Sequence, residues 1–395
     1  MKRLNEKLVS LRGIKLLWFI TFLLFAGCSN SQKQTQDSVS ESAIPFVSTE
    51  IDHAIGFDIV YHDQWKEVLL FRHYNDFVDT IKYALYLNGA QVPKEFEPSN
   101  RIEIPVERVA SMSTTHLSMF SFLDAQSSLK AIEGKKYVSA QEIKNGVDNG
   151  EIVELSPAGE MNLEVAVATN LDVVLGVGYP NLPNEAYQNL ENLGIPVLLN
   201  ADWQEKTLLG RAEWVKLLAA LLNKEEVVNQ AFAQLELRYE KVAKKLGQVE
   251  SNAPNVITGL AQGGVWYVAG GRSFAYYLLE LAGVTYPWAR DESTGSVRLS
   301  IETVYEEGLK ADFWLVPSVA KTLQELEDAD SRYLDFKAVK NNKVFNIYGR
   351  FTEGGGNDFY ESAVMNPDIV LKDIGKIFHP SHFPEHELYY YNQLK

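Results

Sequence analysis

The chain has 395 residues, of which 52 are acidic and 37 are Lys or Arg, giving a net charge of −15. That length corresponds to roughly two to three domain equivalents with a large core, and the acidic balance excludes a nucleic-acid partner, which needs clustered cations. A single cysteine excludes an intrachain disulfide framework, a thiolate zinc cage and an iron–sulfur cluster.

The first predicted element is an address. Lys2, Arg3, Lys7, Arg12 and Lys15 precede the apolar run Leu16 to Ala26. Such a run is too short for a bilayer, which takes about 20 residues, but a basic flank followed by a short apolar run is the pattern of a secretory signal. The run closes on Phe25-Ala26-Gly27-Cys28, which resembles a bacterial lipoprotein signal-peptide box. In that reading residues 1–27 are removed and Cys28, the lone thiol, carries the lipid. Removal takes away five basic residues and one acidic residue, moving the net charge from −15 to −19. Residues 28–50 are expected to form a flexible tether, because Ser29 to Ser42 is rich in Ser, Gln and Asp and has little to bury. By the same resemblance, Ser29 after the cysteine favours retention in the envelope, facing the periplasm.

Ile55 to Tyr61, Val68 to Phe71 and Lys82 to Leu87 read as strands, and the turn at Asn88-Gly89 predicts antiparallel hairpins at the domain's edge. After Glu107 strands alternate with helices. Strands are predicted at Arg108 to Met112, Val173 to Val177 and Ile195 to Leu199, and helices at Thr115 to Leu123 and Pro183 to Leu193. Leu209 to Leu246 reads as helix almost throughout, divided near Asn223. Its second part, from Lys224, carries Val227, Val228, Ala231, Leu235, Tyr239 and Val242 in a helical stripe and would be about 35 Å long. A second α/β unit follows, with strands at Val256 to Leu260, Val265 to Val268, Phe313 to Val316 and Lys343 to Ile347. Its helices are Ser273 to Leu281, closed by Gly283, and Asp368 to Phe378. The expected fold class is therefore α/β, with two Rossmann-like lobes of mainly parallel sheet joined by one long rigid helix. The lobes are 51–222, with a β-hairpin elaboration over 51–100, and 248–395; the joining helix is 223–247.

The chain has no phosphate loop, no Gly-x-Ser-x-Gly elbow and no His-Glu-x-x-His, so an enzyme is not expected. Glycine pairs at 263–264 and 270–271 and the triplet at 354–356 read as tight turns and close backbone approach. His379, His382 and His386 have ligand-like spacing, but Pro380 and Pro384 break any helix that would align them, leaving a surface C-terminal segment. Ser113-Thr114-Thr115-His116 stands at a strand-to-helix junction, the kind of place that lines a ligand crevice; capping by Ser113 or Thr114 explains the same residues. Trp203, Trp266 and Tyr267 lie beside strand ends, where core packing and a cleft lining are both open. Arg272, Arg298 and Arg350 occupy loop positions and are either solvated or turned to an anionic ligand. Glu164 and Glu302 each sit in the first turn of a helix, where the helix dipole favours a carboxylate by roughly 0.3–1 kcal/mol. An equivalent pair on two lobes also suits a two-fold symmetric basic partner.

Together, Val106 to His116, Asn162-Leu163-Glu164, Leu193 to Leu199, Trp266 to Ser273, Leu281-Ala282-Gly283, Ser300-Ile301-Glu302 and the long helix resemble the class III substrate-binding proteins of ABC importers for ferric siderophores, haem and cobalamin. The resemblance covers about residues 100–378. It implies a ligand held between the lobes with little hinge closure, and Glu164 and Glu302 engaging arginines of a permease dimer in the inner membrane. A cobalamin binder of that family has a Trp shortly before the second-lobe Glu, where this chain has the Ser296 region with Arg298. That favours an anionic iron chelate and leaves cobalamin, or less readily an envelope hydrolase, as the alternative. The expected protein is a monomeric, lipid-anchored binding protein without a cofactor of its own. Its ligand contacts would come from Ser113, Thr114, His116, Trp203, Trp266, Tyr267, Arg272, Arg298 and Arg350, with His116 as the candidate metal ligand.

Overall fold

A computed structural model describes residues 46–395 except 75–76, 158, 179–183, 250–252 and 318. The signal segment, Cys28 and the tether as far as residue 45 lie outside the described residues. Four strands come first: β1 (Phe57–Tyr61), β2 (Trp65–Tyr74), β3 (Phe77–Leu87) and β4 (Arg101–Ile104), which form one sheet in that order. Strands β1 to β3 are antiparallel and bury alternate apolar residues, among them Phe57, Ile59, Val68, Leu70, Tyr83 and Leu85. The turn at Asn88-Gly89 does not close a hairpin. It leads the chain out of β3 through residues 88–100, and β4 returns parallel to β3.

The N-terminal lobe holds β5 (Val109–Ser111), β6 (Leu129–Ile132), β7 (Val153–Glu154), β8 (Val173–Val177) and β9 (Val197–Asn200) in a parallel sheet of order β7-β6-β5-β8-β9. Strand order reverses at β5, which opens a crevice beyond the carboxyl ends of β5 and β8. In the C-terminal lobe, β10 (Val256–Thr258) is followed by β11 (Leu260–Gln262), β12 (Val265–Ala269), β13 (Ser296–Ser300), β14 (Phe313–Leu315), β15 (Val344–Asn346) and β16 (Asn392–Gln393). Its main sheet, β10-β14-β15-β16, is parallel except for β16, and β11-β12-β13 form an antiparallel sheet. The strand expected over Val256 to Leu260 breaks at Gly259, whose φ is 92° and where a Cβ would lie 1.8 Å from the Tyr267 carbonyl oxygen. No other residue type fits that corner.

The long helix is present as Glu225–Gly247, preceded by helices Leu208–Glu213 and Val215–Leu222 and separated from them by Asn223 in the left-handed region at φ 53°. Its buried stripe is Val228, Phe232, Leu235, Tyr239, Val242 and Leu246, while Val227 faces solvent. The stripe is therefore set one residue later at its start than the sequence suggests. One hydrophobic core runs from the first sheet through this helix to helix Pro367–Phe378 of the C-terminal lobe. The first sheet is clamped to the start of the spine by Lys66, which is buried. Its ammonium is hydrogen-bonded to the Glu225 carboxylate, to Asn223 Oδ1 at 2.7 Å and to the Ala220 carbonyl at 2.8 Å. Among the described residues no helix is long and apolar enough to cross a membrane.

The lobes also meet away from the spine. Gly354 and Gly356 press on the N-terminal lobe so closely that a Cβ would lie 2.2 Å from the Lys136 carbonyl oxygen and 2.1 Å from that of Tyr137. Nearby, the buried Glu361 carboxylate accepts backbone N–H groups of Ser139 (2.5 Å) and Ala140 (2.8 Å). The C-terminal segment is not the surface tail expected. His379 is buried with Nε2 2.7 Å from the Ala282 carbonyl oxygen, and the buried Asp373 carboxylate binds His386 Nε2 (2.6 Å) and the backbone N–H groups of Tyr389, Tyr390 and Tyr391.

Candidate ligand cavity

A cavity of about 390 Å³ opens at the carboxyl ends of β10, β14 and β15, within the range of small-molecule sites. Its wall is mostly apolar, with Phe274, Leu315, Phe345, Phe359 and Phe378 prominent. Among the described residues, Arg211 is the one charged side chain in the lining. It comes from helix Leu208–Glu213, on the N-terminal side of the spine, and its guanidinium lies 3.5 Å from the centre of the Phe274 ring, a cation–π contact. Arg211 Nε donates to the Glu205 carbonyl at 3.1 Å and Nη2 to the Trp203 carbonyl at 3.0 Å. Burial lowers the affinity of this guanidinium for its proton, opposed by Asp202, Tyr360 and Glu205, but it stays cationic throughout the physiological range. Sequence reasoning missed Arg211: a lone cation inside a helical run carries no motif.

The expected site residues divide into groups. Tyr267 lines the cavity, and exposed Arg298 holds it from the rim, with Nη2 3.2 Å from the phenol oxygen and the guanidinium 5.6 Å from the ring centre. Trp203, 40% exposed, adjoins the mouth through its carbonyl contact with Arg211, and its indole donates to the Gly178 carbonyl at 2.9 Å. Ser113 and Thr114 are half-buried at the end of β5, where Ser113 Oγ caps the following turn by accepting from Thr115 N at 3.2 Å. Arg272 is exposed and pairs with Glu292 at 3.1 Å. Arg350 is bound to Asp358 at 2.6 Å and lines a different hollow, of about 510 Å³, beside Arg238 and Tyr389.

Two of the expected residues have no exposed surface. Trp266 is fully buried in the C-terminal core against Trp314, Tyr333 and Phe336, with its indole N–H on the Thr258 carbonyl. His116 is also fully buried. Its Nδ1 is 3.3 Å from Ser111 Oγ, and its Nε2 has no partner among the described residues. Burial drives its pKa down to about 3, so the ring is neutral. The carboxylate of Asp202 is 3.8 Å away, beyond hydrogen-bond reach, and is satisfied instead by Thr115 Oγ1 at 3.0 Å. Burial raises Asp202 to about 6, with Arg211 and Thr115 pulling it the other way. His116 is therefore a neutral ring with no exposed surface at the end of β5. Among the described residues no group of three or more His, Cys, Asp or Glu side chains is arranged to hold a metal ion.

Glu164 and Glu302 are both exposed in the first turns of helices Leu163–Ala168 and Ile301–Gly308, behind the capping side chains Asn162 and Ser300. Backbone and Ser300 hydrogen bonds lower the pKa of Glu302, so it is anionic at neutral pH.

Parallel sheets on either side of a helical spine, with a cavity at the strand ends, find a match in sequence: the model of the family described as periplasmic binding protein matches residues 109–350. The chain belongs to the periplasmic binding protein family. The match begins at β5, so the first four-stranded sheet of this binding protein precedes the family core. An uncharacterized lipoprotein of Methanocaldococcus jannaschii is 26% identical to it, covering 96% of this chain and 95% of the relative. Among solved structures, a possible iron-binding periplasmic solute-binding protein from Staphylococcus epidermidis superposes with a TM-score of 0.55 at 15% identity, covering 69% of this chain and 98% of that one. The periplasmic haem-binding protein HutB of Vibrio cholerae does so with a TM-score of 0.51 at 17% identity, covering 67% and 98%. These likenesses show the two-lobed α/β fold.

Proposed function

We propose that this binding protein captures an anionic iron chelate, a ferric siderophore or haem, in the cavity under Arg211 and delivers it to the permease of an ABC importer. The observation that carries the reading is the one cation, among the described residues, in the wall of an aromatic, apolar pocket on this family's fold. Burying flat ligand surface contributes about 25 cal/mol per Å², and a half-buried guanidinium in the cavity wall selects an acidic group on the ligand. Iron-binding and haem-binding names among the structural neighbours support the same class of cargo. In this reading Glu164 and Glu302 dock on basic residues of a permease dimer, Cys28 holds the protein to a membrane as a lipoprotein facing the periplasm, and the protein works as a monomer without catalysis. The lipoprotein name of the Methanocaldococcus relative supports the anchor.

Native mass spectrometry of the protein purified from its own host tests the cargo directly: a retained mass matching an iron chelate is expected. Tryptophan quenching by cobalamin with no response to haemin or ferric catecholates would replace this cargo with the alternative.

A further inference from the structure

The segment in front of the family core reaches the cavity through two buried carboxylates. Glu205 is 3% exposed, and its Oε1 accepts the backbone N–H groups of Ile55 (2.9 Å) and Gly56 (2.9 Å) and the indole N–H of Trp214 (3.1 Å). Glu213 has no exposed surface; its Oε1 accepts Asp52 N (3.0 Å) and Lys216 Nζ (2.8 Å), and its Oε2 accepts His53 N (2.6 Å) and Ala54 N (2.7 Å). Consecutive N–H groups from 52 to 56 thus end on two side chains that bracket Arg211 in sequence. The bracket is tight. Glu205 also gives its carbonyl to Arg211 Nε, and Gly210 lies against the segment, where a Cβ would be 3.0 Å from the His53 carbonyl oxygen, 2.8 Å from Thr207 Oγ1 and 3.1 Å from Glu205 Oε2.

We propose that residues 52–56, acting through Glu205 and Glu213, are a brace that positions Arg211 in the cavity wall, so that the chain preceding the family core belongs to the ligand-binding apparatus. Helix Leu208–Glu213 has only six residues and does not fix an arginine by its own stability. The carboxylates tie it to backbone at 52–56, and that backbone continues into β1 and the sheet clamped by Lys66. Glu205 and Glu213 are positioning residues, because they touch Arg211 or its helix and do not line the cavity. The inference rests on the reading of that cavity as the ligand site.

The test uses the mature protein with two porphyrin probes, haemin, which carries two carboxylates, and its dimethyl ester, which carries none. Glu205→Gln unsettles the acceptor of three N–H groups, and Gly210→Ala presses a methyl group into the segment; Glu213→Gln replaces either variant if it does not give a cooperative thermal melt. Each brace variant is expected to weaken haemin about tenfold and the ester less than about twofold, and to have no further effect in an Arg211→Ala background, as coupled residues require. Equal weakening of both probes, or full additivity with Arg211→Ala, would overturn the brace. If the wild-type protein binds neither porphyrin, haem is lost as a cargo, and the brace is judged by phenylglyoxal modification of Arg211 followed by peptide mass spectrometry. Faster modification in the brace variants supports it; an unchanged rate rejects it.

Discussion

Arg211 joins the two sides of the molecule at one atom group. Removing it with Arg211→Ala leaves an apolar cavity without its cation and is expected to weaken carboxylate-bearing chelates about tenfold to a hundredfold, measured by fluorescence titration, because hydrogen bonds to charged groups contribute about 1.5–3 kcal/mol. Behind it, Asp202 and His116 make opposite demands on pH. Burial pushes Asp202 up to about 6 from the ordinary 3.8, so it holds its proton more tightly folded than unfolded and adds stability as pH falls through that interval. His116, lowered to about 3 from 6.5, stays neutral in the fold while the unfolded chain protonates, so it removes stability over the same fall. Thermal melts from pH 7 to 4 should therefore show His116→Gln gaining on the wild type as pH drops, and Asp202→Asn losing ground to it. The sequence located the junction around His116 correctly, but its burial is set by elements distant in the chain. For Trp266 and Tyr267 a local rule was available: neighbours on one strand point to opposite faces, so at most one could meet a cleft. Tyr267 is the one that does.

At the level of elements, the C-terminal lobe touches its partner through a glycine-rich loop and a carboxylate. Glu361→Ala strands the half-buried N–H groups of Ser139 and Ala140 and is expected to cost about 1–3 kcal/mol, read from denaturant unfolding. Gly356→Ala, which meets the Tyr137 carbonyl oxygen, should separate the loop from the N-terminal lobe and cost a comparable amount. The triplet at 354–356 announced close backbone approach in the sequence, though not the surface it approaches. The spine helix was legible because its apolar residues recur at helical spacing from Val228 to Leu246, about five turns. Short strands such as β6, β7 and β13 were not, since two to five residues carry too little periodicity to stand out. The parallel return of β4 also escaped, because a turn signal fixes where a chain bends and not which strand it later joins.

On the scale of the whole molecule, Glu164 and Glu302, the carboxylates proposed to dock on a permease, do not line the cavity. Glu164→Arg combined with Glu302→Arg should abolish uptake of a radiolabelled chelate by cells while leaving the purified protein's affinity for it unchanged; a parallel loss of affinity would remove the docking role. The Gly354–Gly356 contact has a kinetic corollary. A hinge anchored at one edge lets two jaws swing, but these jaws are fastened at a second place, by backbone-to-backbone contact that admits no methyl group. A ligand of the proposed class would then enter a cavity already at its working width, so X-ray scattering curves of the empty and loaded protein should superimpose, and tight retention would come from slow escape rather than from a door shutting behind the guest.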